Sequence, residues 1–356
     1  MKARKVLGLI LCAALLATSL VGCAGAGGGK KKVGISMPTK DLQRWNQDGD
    51  YMKQKFEAAG YEVDLQYASN KADQQLSQLE NMINSGCKVL VIAAVEASSL
   101  GNALDKAAAK KIPVIAYDRL IMDNANVNYY ATFDNYKVGQ IQGNFVKEKL
   151  DLDNAAGPFN IEFTAGDPGD NNATFFFNGA YEVLKSYIDS GKLVVQSGQK
   201  DFDSVATVKW ASETAQARAE NIIGSYYGDK NIDAWLCSND STAQGVVTAL
   251  DARYNSDGRN GQWPIITGQD CDIVSVKNMI AGKQTMSVFK DTRTLAERTV
   301  TMVNDLLNGK TPETNNTYNN NKLDVPSYLC DPVFADISNY EEILIKSGYY
   351  TADKLK

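Results

Sequence analysis

The stretch Ile112-Pro-Val-Ile-Ala-Tyr-Asp-Arg-Leu120 decides how the rest of the chain is read. Pro113 to Tyr117 form an unbroken apolar run of strand length, as expected of a strand covered on both faces. Its end brings an aspartate and an arginine together. Working outward, the pattern repeats on both sides. Short β-branched runs at 32–37, 62–68, 89–94 and 128–134 flank it, separated by stretches of helical periodicity at 48–59, 73–85 and 100–110, with a further helix from about Tyr136. A second series of strands follows at 159–165, 193–197, 232–238, 264–268 and 285–289. Its intervening helices fall near 173–188, 213–226, 242–254 and 273–281. Alternating strands and helices predict parallel sheets covered by helices on both faces, an α/β fold. Two such series predict two similar doubly wound lobes. The asparagine-rich stretch 315–321 reads as a surface loop.

Composition narrows the chemistry. The 356 residues carry a net charge of −5, which gives no electrostatic case for nucleic acid. The chain has no histidine, which removes Ser-His-Asp and Cys-His catalysis and histidine metal sites. No aspartate run resembles a calcium loop. Neither a cofactor nor a metal is expected. Of six cysteines, Cys87, Cys237, Cys271 and Cys330 are scattered without CxxC spacing, so buried thiols are expected rather than a disulfide framework.

The N-terminus reads as a targeting segment. Met1-Lys-Ala-Arg-Lys5 is basic, Val6 to Val21 is apolar and small, and Leu20-Val-Gly-Cys23 looks like a bacterial lipobox. Residues 1–22 are therefore expected to be a lipoprotein signal peptide. Cys23 is the expected lipidation site, and residues 23–31, with Ala24-Gly-Ala-Gly-Gly-Gly29, a flexible tether. That places the protein outside the cytoplasm, anchored to the cell membrane through acyl chains. Gly25 to Lys30 superficially suggests a phosphate loop. No strand precedes it and no Ser or Thr follows Lys30, so linker is the better reading.

In doubly wound sheets, ligands bind beyond the carboxyl ends of the strands. Those ends carry polar residues again and again: Arg44 and Trp45 after the first strand, Asp118 and Arg119 after the fourth, Asn172 after the first strand of the second series. Asn239 with Asp240, then Asp270, then Lys290 follow later strands, and Trp210 lies in a loop. Each has an ordinary reading alone. Asn239 or Asp240 would cap a helix, Asp118 with Arg119 would be a structural ion pair, Lys290 would snorkel, and Trp210 would staple the helix that follows it. Together they supply both signs of charge and two indoles at one rim, which suits a polyol. Carboxylates and amides bridge hydroxyls, Arg and Lys donate to oxygens, and a flat indole covers the apolar face of a pyranose. Arg44, Arg119 and Lys290 nearly balance Asp118, Asp270 and Asp240, which favours a neutral ligand over a sugar acid or phosphate.

Several motifs fall in one family's order: Lys32-Val-Gly-Ile-Ser-Met-Pro38 with Arg44-Trp45, Gln78-Leu-Glu-Asn-Met-Ile83, Val89-Leu-Val-Ile92, Ala116-Tyr-Asp-Arg-Leu120 and Ala131-Thr-Phe-Asp-Asn135. Asp170-Asn-Asn-Ala173, Ser238-Asn-Asp240, Thr267-Gly-Gln-Asp270 and Phe289-Lys-Asp291 continue it. The chain resembles the xylose-binding and multiple-sugar-binding receptors of bacterial ABC importers, of the class I periplasmic-binding fold, from Val33 to Lys356. That resemblance implies two lobes joined by three crossovers, near 134–135, 287–291 and 325–327, with a pyranose between them. It divides the chain into an N-terminal lobe of 32–134 plus 290–325 and a C-terminal lobe of 135–289 plus 326–356. Carried over residue by residue, it implies that Arg44, Asp118, Arg119, Asn172, Asn239, Asp270 and Lys290 hydrogen-bond the sugar while Trp45 and Trp210 sandwich it. The expected function is capture of a neutral monosaccharide of the xylose, glucose or galactose class by a monomer that delivers it to an ABC permease. The alternative is a sugar sensor that presents its closed form to a chemoreceptor or sensor kinase. A sugar-responsive regulator would need a helix-turn-helix before the first strand, where only the signal and glycines lie. An enzyme is not expected: Asp118 and Asp270 have cationic neighbours that lower carboxyl pKa values, whereas a glycosidase acid needs one raised.

Overall fold

The structure, a computed structural model, describes residues 30–256 and 263–356; the expected signal segment, Cys12 and Cys23 lie outside the described residues. The first series builds β1 (Lys32–Met37), α1 (Gln43–Ala58), β2 (Glu62–Tyr67), α2 (Ala72–Asn84), β3 (Val89–Ile92), α3 (Gly101–Ala109), β4 (Val114–Tyr117) and β5 (Tyr129–Phe133). The second builds α4 (Asn135–Lys149), β6 (Phe159–Thr164), α5 (Asn171–Asp189), β7 (Leu193–Val194), α6 (Ser212–Tyr226), β8 (Ala234–Cys237), α7 (Asp240–Ser256), β9 (Ile265–Ile266), α8 (Ile273–Ile280) and β10 (Met286–Phe289). The chain ends with α9 (Thr292–Leu307), β11 (Asn316–Asn319), β12 (Asp324–Cys330) and β13 (Val333–Asp336), followed by short helical turns.

Two sheets result. The first runs β11-β12-β5-β4-β3-β1-β2, parallel except for β11 at its edge. The second runs β7-β6-β8-β9. A bridge between Gln269 and Val288, with Thr285 N donating to Ile266 O at 2.9 Å and Val288 N to Gly268 O at 2.9 Å, carries it on to β10. Antiparallel β13 then pairs with β10. Both sheets therefore share one strand order, the second strand outside the first and the later ones added on the other side. The crevice that holds ligands in such sheets opens where that order reverses, beside β1 and β3 in one lobe and β6 and β8 in the other.

The inner strands β3, β4 and β8 are apolar throughout because helices cover both faces. On one face of the first sheet Val33, Ile35, Val91 and Ile115 pack with Met52, Phe56 and Val303 of α1 and α9. On the other, Leu90, Ile92, Val114 and Ala116 meet Leu79, Met82 and Leu104 of α2 and α3. The second sheet repeats the arrangement, with Phe163, Phe177 and Leu184 on one face and Trp235, Ile222 and Val246 on the other. Cys87, Cys237, Cys271 and Cys330 are all buried and free.

Three segments pass between the sheets: β5 into α4, β10 into α9, and β12 into β13. The third corrects the sequence expectation. β12 stays paired with β5 up to Cys330 opposite Phe133, so the passage comes at Asp331-Pro332 and not at 325–327. Proline, which lacks an amide donor, ends the ladder there. The 315–321 loop also needs correcting, since Asn316–Asn319 is a strand on the outer edge of the first sheet. Its side chains mostly face solvent, so neither apolar alternation nor β-propensity marks it in the sequence. The helix α9 was likewise not among the expected elements.

Helices α4 and α5 cross at glycines. A Cβ at Gly139 would overlap the carbonyl oxygen of Phe176, a backbone atom with nowhere to go. Gly139→Ala is therefore expected to cost about 1 to 3 kcal/mol of stability and to lower the Tm in calorimetry by several degrees. An unchanged Tm would show that the helices can separate freely.

Candidate functional site

The strand tips of the two sheets face each other across a narrow cavity. Most of its wall comes from segments that follow strands. After β1, Leu42, Arg44 and Trp45 open α1; after β4 come Asp118 and Arg119. From the second lobe come Asp170 and Asn172 at the start of α5, Asn239 after β8, Gln269 and Asp270 after β9, and Lys290 after β10. Trp210 lies beside them in a short helical turn before α6. Nine of the ten residues singled out in the sequence thus line one cavity. Asp240 does not. It sits beneath the wall, accepting from Gln284 Nε2 at 2.9 Å, Ser287 Oγ at 2.8 Å and Asp272 N at 2.8 Å. Its place in the ring of charge is taken by Asp170, while Asp48 lies behind Arg44 and does not line the cavity.

Ion pairs tie the charges together across the cleft in two groups. Arg44 Nη2 lies 3.0 Å from Asp118 Oδ2 and 2.9 Å from Asp48 Oδ2, and its Nη1 lies 3.4 Å from Asp270 Oδ1 in the other lobe. Lys290 Nζ is 3.2 Å from Asp270 and 3.8 Å from Asp118. Arg119 Nε meets Asp170 Oδ2 at 2.9 Å, again between lobes. Lys290 is only 2% exposed, which excludes snorkelling to solvent. A buried ammonium is tolerated here because two carboxylates flank it and the rings of Phe176 and Phe133 lie 5.4 and 6.0 Å away.

Backbone geometry fixes the side chains. Asp118 holds φ of 59° and Asp270 of 97°, in the left-handed region that costs a non-glycine residue free energy. Asp118 is held there by its carbonyl, which accepts from Tyr130 Oη at 2.7 Å, Thr132 Oγ1 at 2.9 Å and Asn172 Nδ2 at 2.7 Å. Asn239 is both cap and cavity wall. Its Oδ1 accepts from Thr242 N at 3.0 Å, which leaves the Nδ2 donor for the cavity. Trp45 lies under Arg44 and Arg119, whose guanidinium carbons are 4.4 and 5.2 Å from its ring. Trp210 lies against Gly166, where any Cβ would fall inside the indole. The Nε1 atoms of both tryptophans are buried without a partner.

Titration follows from these contacts. Burial pushes the Asp118 carboxyl up, but Arg44, Lys290 and Arg119 outweigh it and hold it below its ordinary value. Such a group is a hydrogen-bond acceptor at neutral pH and no general acid. Burial raises Asp48 to about 6, against the pull of Arg44. Between the ordinary 3.8 and about 6 the folded chain then holds a proton that the unfolded chain has lost. Stability from this group is therefore present at low pH and lost as pH rises through 6. Asp48→Asn is expected to flatten that part of the profile by on the order of 2 to 3 kcal/mol. Unfolding free energies measured from pH 4 to 7 check it, and parallel profiles for both proteins would contradict it.

The residues not singled out in the sequence are Leu42, Asp48, Asp170, Phe176 and Gln269. Asp48 was within reach, since an Arg and an Asp at i and i+4 on a helix are neighbours. Phe176 carried no signal beyond helical periodicity. No group of acidic or cysteine side chains among the described residues is arranged to hold a metal ion, and no described helix is long and apolar enough to cross a membrane.

Residues 33–311 match the family model of the periplasmic binding protein domain. The chain belongs to that family. It is 52% identical over 330 residues to the multiple sugar-binding periplasmic receptor ChvE of Rhizobium radiobacter, covering 92% of this chain and 93% of that one. With the D-xylose-binding periplasmic protein of Escherichia coli it shares 37% identity over the whole of both chains. Among solved structures, an ABC transporter solute binding protein from Clostridium phytofermentans with bound β-D-glucose superposes with a TM-score of 0.88. That protein is 60% identical and aligns over 92% of this chain and 100% of its own.

Proposed function

We propose that the protein captures a neutral monosaccharide of the xylose, glucose or galactose class between its two lobes and delivers it to an ABC permease. The observation that carries this reading is the convergence of two indoles, three cations and three carboxylates from both sheets on one cavity. Arg44, Arg119 and Lys290 donate to ring and hydroxyl oxygens, Asp118 and Asp270 accept from hydroxyls, Asn172 and Asn239 contribute amides, and Trp45 and Trp210 cover the two faces of the ring. Arg44, Arg119 and Lys290 are matched by Asp118, Asp170 and Asp270, so a ligand with its own charge would leave one buried charge uncompensated. About a dozen heavy atoms enclosed at up to roughly 1.5 kcal/mol each allow micromolar or tighter binding. The relatives that bind sugars, by name, and the glucose-bound neighbour support the same class of ligand. The protein acts by binding and closing, without turnover, as a monomer outside the cytoplasm, tethered through a lipidated Cys23.

A thermal-shift screen tests this reading. D-xylose, D-glucose or D-galactose is expected to raise the Tm, whereas glucuronate and glucose 6-phosphate leave it unmoved. A shift from the charged sugars alone would overturn it. The anchor is tested separately: labelled palmitate should enter the wild-type protein in its host and not Cys23→Ser, and equal labelling would exclude this tether.

A further inference from the structure

A second, wider cavity adjoins the first. It shares two walls with it, Arg119 and Trp210. It too lies between the lobes, toward the side of the cleft away from the three crossovers. Asn70 follows β2, the edge strand remote from β5 and β12, and Asp167 follows β6, which lies beside the far edge of the second sheet.

The chemistry of its wall repeats that of the inner cavity. Glu96 and Asp167 supply carboxylates, Asn70 an amide and Lys209 an ammonium, while Val208 and Trp210 supply apolar surface. Val208 is 57% exposed, an aliphatic side chain with no core to enter. The loop that carries it is held in a costly shape. Lys209 and Trp210 have φ of 59° and 57°. The Lys209 amide is pinned by the Asp167 carboxylate, and the Trp210 carbonyl accepts from Ser241 Oγ at 2.8 Å. Strain of this kind persists where surrounding contacts over-determine a shape, often at ligand sites. Arg119 and Trp210 are thus presented to both cavities at once, with the Trp210 Nε1 donor buried and unpartnered.

We propose that the outer cavity is a second sugar subsite, so that the protein binds disaccharides or other glycosides with one ring in the inner cavity and the linked ring in the outer one. Resting on the monosaccharide reading above, this extends the substrate class from free monosaccharides to glycosides. The glycosidic oxygen passes between Arg119 and Trp210, and Glu96, Asn70 and Lys209 engage hydroxyls of the outer ring.

Calorimetry on the full chain, titrated with D-glucose, D-xylose, cellobiose, maltose and xylobiose, tests it. At least one disaccharide is expected to bind within tenfold of its own monosaccharide. Glu96→Ala, at an exposed position, and Val208→Trp, which fills the outer cavity, are each expected to weaken that disaccharide fivefold or more while monosaccharide affinity stays within twofold. Monosaccharide binding with no disaccharide binding overturns the proposal, as does disaccharide binding indifferent to both substitutions. Failure of every sugar, monosaccharides included, overturns the reading beneath it instead.

Discussion

Replacing Asp270 by asparagine is expected to weaken sugar binding thirtyfold or more while leaving the fold in place. Asparagine keeps the shape of the side chain and tolerates the positive φ of 97°. It removes the charge that faces Lys290 at 3.2 Å and Arg44 at 3.4 Å. A sugar filling the cavity would exclude water from it, and losing one partner of a buried charged pair typically costs about 2 to 5 kcal/mol, tenfold in affinity for each 1.4. Folding suffers less for two reasons. Arg44 keeps Asp48 and Asp118, and Lys290 keeps Asp118. Asp270 also repels its neighbours: Asp240 and Asp272 are raised first by burial and then by surrounding carboxylates, Asp270 among them. Calorimetric titration together with a melting curve separates the two effects. Full affinity in the variant would remove Asp270 from the site, and an unfolded variant would show that its role is structural.

The second large effect concerns the indole of Trp210. Truncation to alanine removes a plate from the wall and is expected to cost about 2 kcal/mol or more in binding, roughly thirtyfold. Gly166→Ala makes the sharper test, because it leaves the indole in the sequence and denies it its place. A Cβ there lies within the ring of Trp210, so the side chain must move. Gly166 does not hold a positive φ, so alanine adds no backbone strain. Both variants are expected to lose affinity in the same titration. Loss in Trp210→Ala with none in Gly166→Ala would mean that the indole is not held where the structure places it.

Much of this architecture was legible in the sequence. Buried parallel strands announce themselves as short apolar runs, and β1 to β6 fell within a residue or two of their expected ranges. The charged residues could be found because strand ends in doubly wound sheets converge, so that position along the chain implies position in the cleft. What escaped notice lacked a local signal. The edge strand Asn316–Asn319 exposes its side chains and is held by backbone pairing alone. Asp240 looked like a cavity residue because it sits beside Asn239 at a strand end. One step further round the helix its carboxylate points away from the cleft and accepts from Gln284 and Ser287, a three-dimensional choice that no spacing rule makes. Asp170 was visible as part of a turn, but its pairing with Arg119 across the lobes was not.

The proposed function stands on one spatial arrangement, an uncharged sugar ring enclosed between Trp45 and Trp210 with Asp118, Asp270, Arg44 and Lys290 around its edge. A crystal structure of the protein grown with D-glucose or D-xylose tests it most directly. One pyranose is expected in the cavity between the strand tips, with an indole against each face and Asp270 within hydrogen-bond distance of a hydroxyl. A sugar bound elsewhere, or a pyranose in this cavity touching neither indole, would contradict it.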